Sequence, residues 1–133
     1  MASIFSKIIK GEIPCYKIAE NDKFFAFLDI SPLAKGHTLV VPKQEIDYIF
    51  DLETELHKEY WDFARFVAGG VRKAIPCKRI GIAVIGLEVP HAHIHLIPMN
   101  RVSDMNFAMP KLSLQEAEMK DIAAKIVNCL SGS

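Results

Sequence analysis

Apolar positions change their period along the chain, and those changes divide it into elements. Residues 4–10 (IFSKIIK) place Ile4, Phe5, Ile8 and Ile9 at helical spacing, and Gly11 followed by Pro14 closes that short helix. Residues 15–20 and 23–29 predict two strands that meet in a turn at Asn21-Asp22. A loop runs from Ser31 to Gly36, and residues 37–43 (HTLVVPK) form a β-branched run with Pro42 suited to its edge. From about Asp51 to Ala74 the period lengthens: Leu52, Leu56, Tyr60, Phe63, Ala64, Val67 and Val71 make the stripe of an amphipathic helix. Gly69-Gly70 inside that helix lowers its propensity and points to close packing on a neighbour. Residues 79–86 and 91–97 give two more strands across a tight Gly86–Pro90 connection. Residues 98–112 are irregular, and Ser113 with Glu116 has the capping-box spacing that opens a last helix to about residue 130.

Hairpins on either side of a long helix predict an α+β fold. Its expected form is an antiparallel sheet of about five strands with one long central helix and a C-terminal helix, the helices on one side. No repeat or linker-like tract interrupts residues 1–133, so a single domain is expected. Sixteen Lys plus Arg balance sixteen Asp plus Glu, which gives no electrostatic reason to expect nucleic acid or an anionic membrane as partner. The first residues lack the apolar run of a secretory leader, and no stretch has the length of a membrane helix. Cys15, Cys77 and Cys129 are odd in number and far apart, as expected of reduced, small apolar side chains in a cytoplasmic protein.

The chemistry concentrates in His91-Ala92-His93-Ile94-His95-Leu96-Ile97-Pro98. In a strand the three imidazoles share one face, about 7 Å apart at successive Cα atoms, while Ala92, Ile94 and Leu96 point into a core. A single histidine in a strand is ordinarily a structural residue, but three in register suit either metal binding or nucleophilic and acid–base catalysis. Three in-line ligands fit poorly around one tetrahedral ion, because the outer pair lie about 13 Å apart at Cα. Neutral imidazole is a good nucleophile near pH 7, and its neighbours are able to donate to phosphoryl oxygens. His37, after Gly36 at a strand start, suits a further phosphate contact. Asp29 suits ribose hydroxyls or, equally, a turn cap. His57, among Glu53, Glu55, Lys58 and Glu59, is expected to be a solvated surface residue.

HAHIHLIP resembles the histidine triad motif, and residues 4–43, with DISPLAKGH, resemble the amino-terminal half of the same family. The likeness covers residues 4 to about 98 and leaves 99–133 as an extension without a recognisable pattern. It implies a nucleotidyl hydrolase or transferase that cleaves at the α-phosphate of a purine nucleotide conjugate: a phosphoramidate, an acyl-adenylate or a dinucleoside polyphosphate. His93 would be the nucleophile that carries a covalent nucleotidyl intermediate. His91 would orient it, and His95 with His37 would contact the phosphate and assist the leaving group. Asp29 would bind the ribose. Phe5, Ile8, Phe27 and Ile30 match base-pocket positions, and Glu88 is counted with the nucleotide-binding residues. The likeness also implies a homodimer, and no cofactor is expected.

The chain departs from the family pattern at three places. Ser3 and Ser6 stand where many bacterial relatives carry zinc-binding cysteines, and Glu45 stands near the position of a histidine ligand, so no structural zinc is expected. Leu87 replaces the usual glutamine before the triad, and losing one such donor costs about 10²–10³ in rate at comparable sites. The stretch Ile80–Gly86 lacks the usual asparagine and has Ala83 in that region. A nucleotide-binding protein with weak or lost catalysis is therefore the alternative reading.

Overall fold

The computed structural model describes residues 2–131. In chain order it contains α1 (Ile4–Ile9), β1 (Lys17–Glu20), β2 (Phe24–Leu28), β3 (Thr38–Pro42), α2 (Thr54–Ala74), β4 (Arg79–Ala83), β5 (Ile94–Met99) and α3 (Glu116–Ser131). The strands form one antiparallel sheet in the order β1-β2-β3-β5-β4. This is the expected α+β architecture. No helix among the described residues is long and apolar enough to cross a membrane.

Local chemistry sets several boundaries. Asn21 accepts from the backbone N–H groups of Lys23 and Phe24 through Oδ1, which closes the β1–β2 turn. Gly36 has φ +89°, and a Cβ there would lie 2.8 Å from Ile75 Cγ1, so only glycine fits the bend that delivers His37 to β3. Two boundaries differ from expectation. The β4–β5 connection spans residues 84–93, longer than the tight Gly86–Pro90 link, because Gly86 has φ +72° and Ala92 N–H donates to Ile46 O instead of to a strand. The last helix starts at Glu116 and leaves Ser113 outside it, where Leu112 N–H is bound to Pro32 O and Leu114 packs on the core.

Both faces of the central strands are covered, since β2 and β3 are buried at every position. On one face α2 and α3 lay Tyr60, Val67, Val71, Met119 and Ile126 over Phe24, Ala26, Val40, Ile94 and Leu96. On the other, α1 lays Phe5, Ile8 and Ile9 over Phe25, Phe27, Leu39 and Val41. The expectation of helices on one side therefore holds for α2 and α3 and is corrected for α1. An all-apolar β2 has no polar alternation to leave a face in water, so a third helix must cover it.

Candidate active site

The alternation along the triad segment divides the side chains as its spacing implies. Ala92, Ile94 and Leu96 enter the larger core. His91, His93 and His95 face the α1 side, where the Phe5 ring lies 5.8 Å from His91 and 4.9 Å from His93, and the His93 and His95 rings are 5.0 Å apart. All three are buried, as is His37. The β2–β3 hairpin brings Asp29 and His37 together: Asp29 N–H donates to His37 O, and Asp29 Oδ2 lies 3.6 Å from His37 Nε2.

Partners that only donate or only accept fix each imidazole's tautomer. Leu33 N–H donates to His37 Nδ1 at 3.0 Å, so the His37 proton sits on Nε2 and is given to His95 Nδ1 at 3.0 Å. His95 then carries its own proton on Nε2. His91 Nε2–H donates to Pro42 O at 2.8 Å, and its Nδ1 accepts from the Ser3 hydroxyl at 2.7 Å. His93 Nδ1–H donates to His91 O at 2.8 Å, which leaves the Nε2 lone pair of His93 free. Among the described residues neither His93 Nε2 nor His95 Nε2 has a partner, and no buried side-chain polar atom is unpaired, so both atoms open on solvent. The result is one nucleophilic lone pair beside one N–H donor.

Burial keeps the supporting rings neutral. It pushes His37 down to about 3, with help from the adjoining His95, and pushes His95 down to about 4, with help from His93. Burial also lowers His91, against the Pro42 carbonyl and the Glu45 charge. Asp29 is raised by burial, against the Ser31 N–H that donates to its carboxylate.

Ser3, Ser6 and Glu45 meet beside His91. Glu45 Oε1 accepts from Ser3 N–H at 2.6 Å and from the Ser6 hydroxyl at 2.7 Å, which holds Glu45 down to about 2. Ser3 Oγ also caps α1 by accepting from Ser6 N–H at 3.0 Å. A hydrogen-bonded chain thus ties the α1 N-terminus to His91 and, through the His91 carbonyl, to His93. Hydroxyls and a carboxylate, bonded to one another and to His91, are hard oxygen donors and a poor set for a soft metal site. Asp29, His37 and His95 are the group of described residues whose ligand atoms converge, within 4.8 Å. The His37 Nε2 proton lies between the two rings, however, and moving it to Nδ1 would set two N–H groups against each other at Leu33.

Two adjoining cavities of about 360 and 400 Å³ meet at His93 and share Ile85, Gly86 and Leu87. The first is lined also by Asp29, His37, His95, Glu88, Phe107 and Lys111. The second is more apolar, with Tyr48, Phe50 and Trp61. Of the residues expected in a base pocket, Phe5 and Phe27 are buried in the smaller core and Ile8 packs on it. Ile30 is 74% exposed, and none of the four lines either cavity. Leu87 is exposed at the shared rim. His57 is half-buried and accepts from the Trp61 indole N–H at 3.1 Å, so it is a packed neighbour of the apolar cavity instead of a solvated residue.

Sequence reasoning missed Phe107 and Lys111, which come from the irregular stretch after β5, and the aromatic wall of the second cavity. A basic residue after Pro110 in a segment otherwise poor in charge was the signal available for Lys111.

The HIT domain profile matches residues 10–102. The chain belongs to the histidine triad family. It is 34% identical to the protein hit of Bacillus subtilis, over 98% of this chain and 95% of that one. It is 33% identical to the adenosine 5'-monophosphoramidase hnt1 of Schizosaccharomyces pombe, over 95% of this chain and 96% of that one. The crystal structure of a Hit-like protein from Bartonella henselae superposes with a TM-score of 0.82 at 30% identity, covering 96% of this chain and 95% of that one. Against this histidine triad background, the tautomer chain follows from the chain's own contacts.

Proposed function

We propose that this histidine triad protein is a nucleotide hydrolase or transferase that cleaves purine nucleotide conjugates at the α-phosphate through a nucleotidyl–His93 intermediate. The observation that carries the reading is the single free lone pair at His93 Nε2, set beside the His95 Nε2–H donor. His93 Nε2 attacks phosphorus and the leaving group departs. Water then displaces the imidazole and releases the mononucleotide. His91 positions His93 through its carbonyl, and His37 fixes the proton of His95. Asp29 would bind the ribose, with Glu88 at the mouth, and the base would lie outside the two cavities, on the side of Phe5, Ile8, Phe27 and the exposed Ile30. The similarity to an adenosine 5'-monophosphoramidase supports this substrate class.

Wild-type protein should release AMP from an adenosine phosphoramidate, and His93→Ala should lower turnover by at least about 10³-fold with its melting transition retained. Mass spectrometry of a rapidly quenched reaction should find an AMP adduct on His93. Equal turnover by the two proteins would refute the assignment. Leu87, 89% exposed with no donor to offer, favours a second reading, a nucleotide binder with little turnover. Tight AMP binding without AMP release would select it.

In the same reading the protein works as a homodimer in the cytoplasm. β4 ends the sheet with Ile82 exposed, and Val84, Ile85 and Leu87 follow it into solvent, a combination suited to pairing with a second copy. The free thiols of Cys15, Cys77 and Cys129 suit a reducing compartment. Sedimentation at micromolar concentration should give twice the chain mass, and a monomer would remove the dimer.

A further inference from the structure

Beyond β5 the chain turns through a short 3-10 helix at Val102–Met105 and comes back across the end of the sheet. Leu112 N–H donates to Pro32 O at 2.8 Å and anchors that return beside the β2–β3 loop. The Phe107 ring is thereby set edge-on, 4.9 Å from His95 and 6.3 Å from His37. Lys111 lines the same cavity, and its ammonium donates to Phe107 O at 2.6 Å and Met109 O at 3.4 Å. An ammonium has three donors, so one is left for a ligand.

Charge makes that lysine matter. The cavity is lined by two carboxylates, Asp29 and Glu88, while burial keeps His37 and His95 neutral. Lys111 is the one Lys or Arg among the lining residues. A substrate with a neutral amine leaving group brings little more than the α-phosphate charge. A polyphosphate leaving group adds roughly one negative charge per phosphate, which this cavity answers only through Lys111.

We infer that Phe107 and Lys111 form a leaving-group subsite, in which Lys111 selects nucleotide conjugates whose leaving group is a polyphosphate chain. The inference rests on the α-phosphate reading above. In the first step the His93 Nε2 lone pair forms the N–P bond as the bridging P–O bond breaks. The electron pair goes with the bridging oxygen, so the polyphosphate leaves as an anion that needs no proton, its added charge faced by the Lys111 ammonium. Water then adds to phosphorus and loses a proton to the medium, and the electron pair of the N–P bond returns to His93. An amine, by contrast, must gain a proton as the P–N bond breaks, and Lys111 offers that step no matching charge.

The test compares wild type, Lys111→Met and Lys111→Arg on diadenosine tetraphosphate and on adenosine phosphoramidate. The ratio of the two kcat/KM values, tetraphosphate over phosphoramidate, should fall about 10- to 100-fold in Lys111→Met and recover in Lys111→Arg. An unchanged ratio, whether both activities hold or both fall together, overturns the subsite. Calorimetry with a methylene-bridged diadenosine tetraphosphate analogue against AMP separates this from the functional reading. If wild type turns over neither substrate, the α-phosphate reading fails. The subsite still stands if Lys111→Met weakens the analogue at least about tenfold more than AMP, and fails if it does not.

Discussion

At the scale of single residues, direction of hydrogen bonding decides chemistry. One backbone N–H at Leu33 and two carbonyls, at Pro42 and His91, fix four imidazoles so that only His93 presents a lone pair to the cavity. The triad was legible because its alternation is local, whereas most partners that assign its protons were not: Pro42 and Ser3 lie 49 and 88 residues from His91 and His37 lies 58 from His95, and only the His91 carbonyl behind His93 is local. Sequence placed Ser3, Ser6 and Glu45 only as substitutes for metal ligands, and their mutual bonding required the folded chain. Ser3→Ala removes both the donor to buried His91 Nδ1 and the α1 N-cap, so it should cost about 1–3 kcal/mol of stability in urea unfolding. It should also lower kcat about tenfold through drift of the His91 carbonyl that holds His93. Wild-type stability in that variant would show that the chain from Glu45 to His91 is not a tether.

Elements were legible wherever one period governs a run. The α2 stripe is buried at Tyr60, Phe63, Ala64, Val67 and Val71, as its spacing requires. Failures fell where distant chain competes for backbone groups: Ile46 takes the Ala92 N–H and delays β5, and Pro32 takes the Leu112 N–H and keeps Ser113 out of α3. The paired glycines of α2 separate in the same manner. A Cβ on Gly69 meets nothing within 4 Å, but one on Gly70 would fall on the Leu130 side chain of α3, 2.8 Å from its Cγ. The close approach expected at Gly69-Gly70 is thus an internal contact made by Gly70 alone. Gly69→Ala should raise stability by about 0.5–1 kcal/mol through helix propensity. Gly70→Ala should lower it by about 1–3 kcal/mol through overpacking, unless Leu130 turns aside without loss. Thermal melts of the two variants should move in opposite directions, and a shared direction would contradict this packing.

For the whole molecule, the site and the fold share one pH dependence. A sheet covered on both faces must bury His37 and His95, and burial holds them at about 3 and about 4, against the ordinary value near 6.5 in the unfolded chain. Between those values the unfolded chain binds more protons than the folded one, so stability falls as pH falls. It is fully present above pH 6.5 and lost through the window from about 6.5 down to the folded values, at up to about 1.4 kcal/mol per pH unit for each ring. Glu45, held at about 2, adds a loss of the same sign below its ordinary value of 4.5. Asp29, raised by burial, opposes it, since the folded state takes up that proton first. Between pH 6.5 and 5 the imidazoles therefore dominate. Urea midpoints should be level from pH 8 to 7 and decline steadily from 6.5 to 5, and a His37→Gln/His95→Gln protein that still folds should show a clearly shallower decline. A wild-type midpoint independent of pH across that interval would mean that the two rings are not held neutral. It would also remove the reason for Lys111 to be the cation of the cavity, since protonated imidazoles would then meet the phosphates themselves.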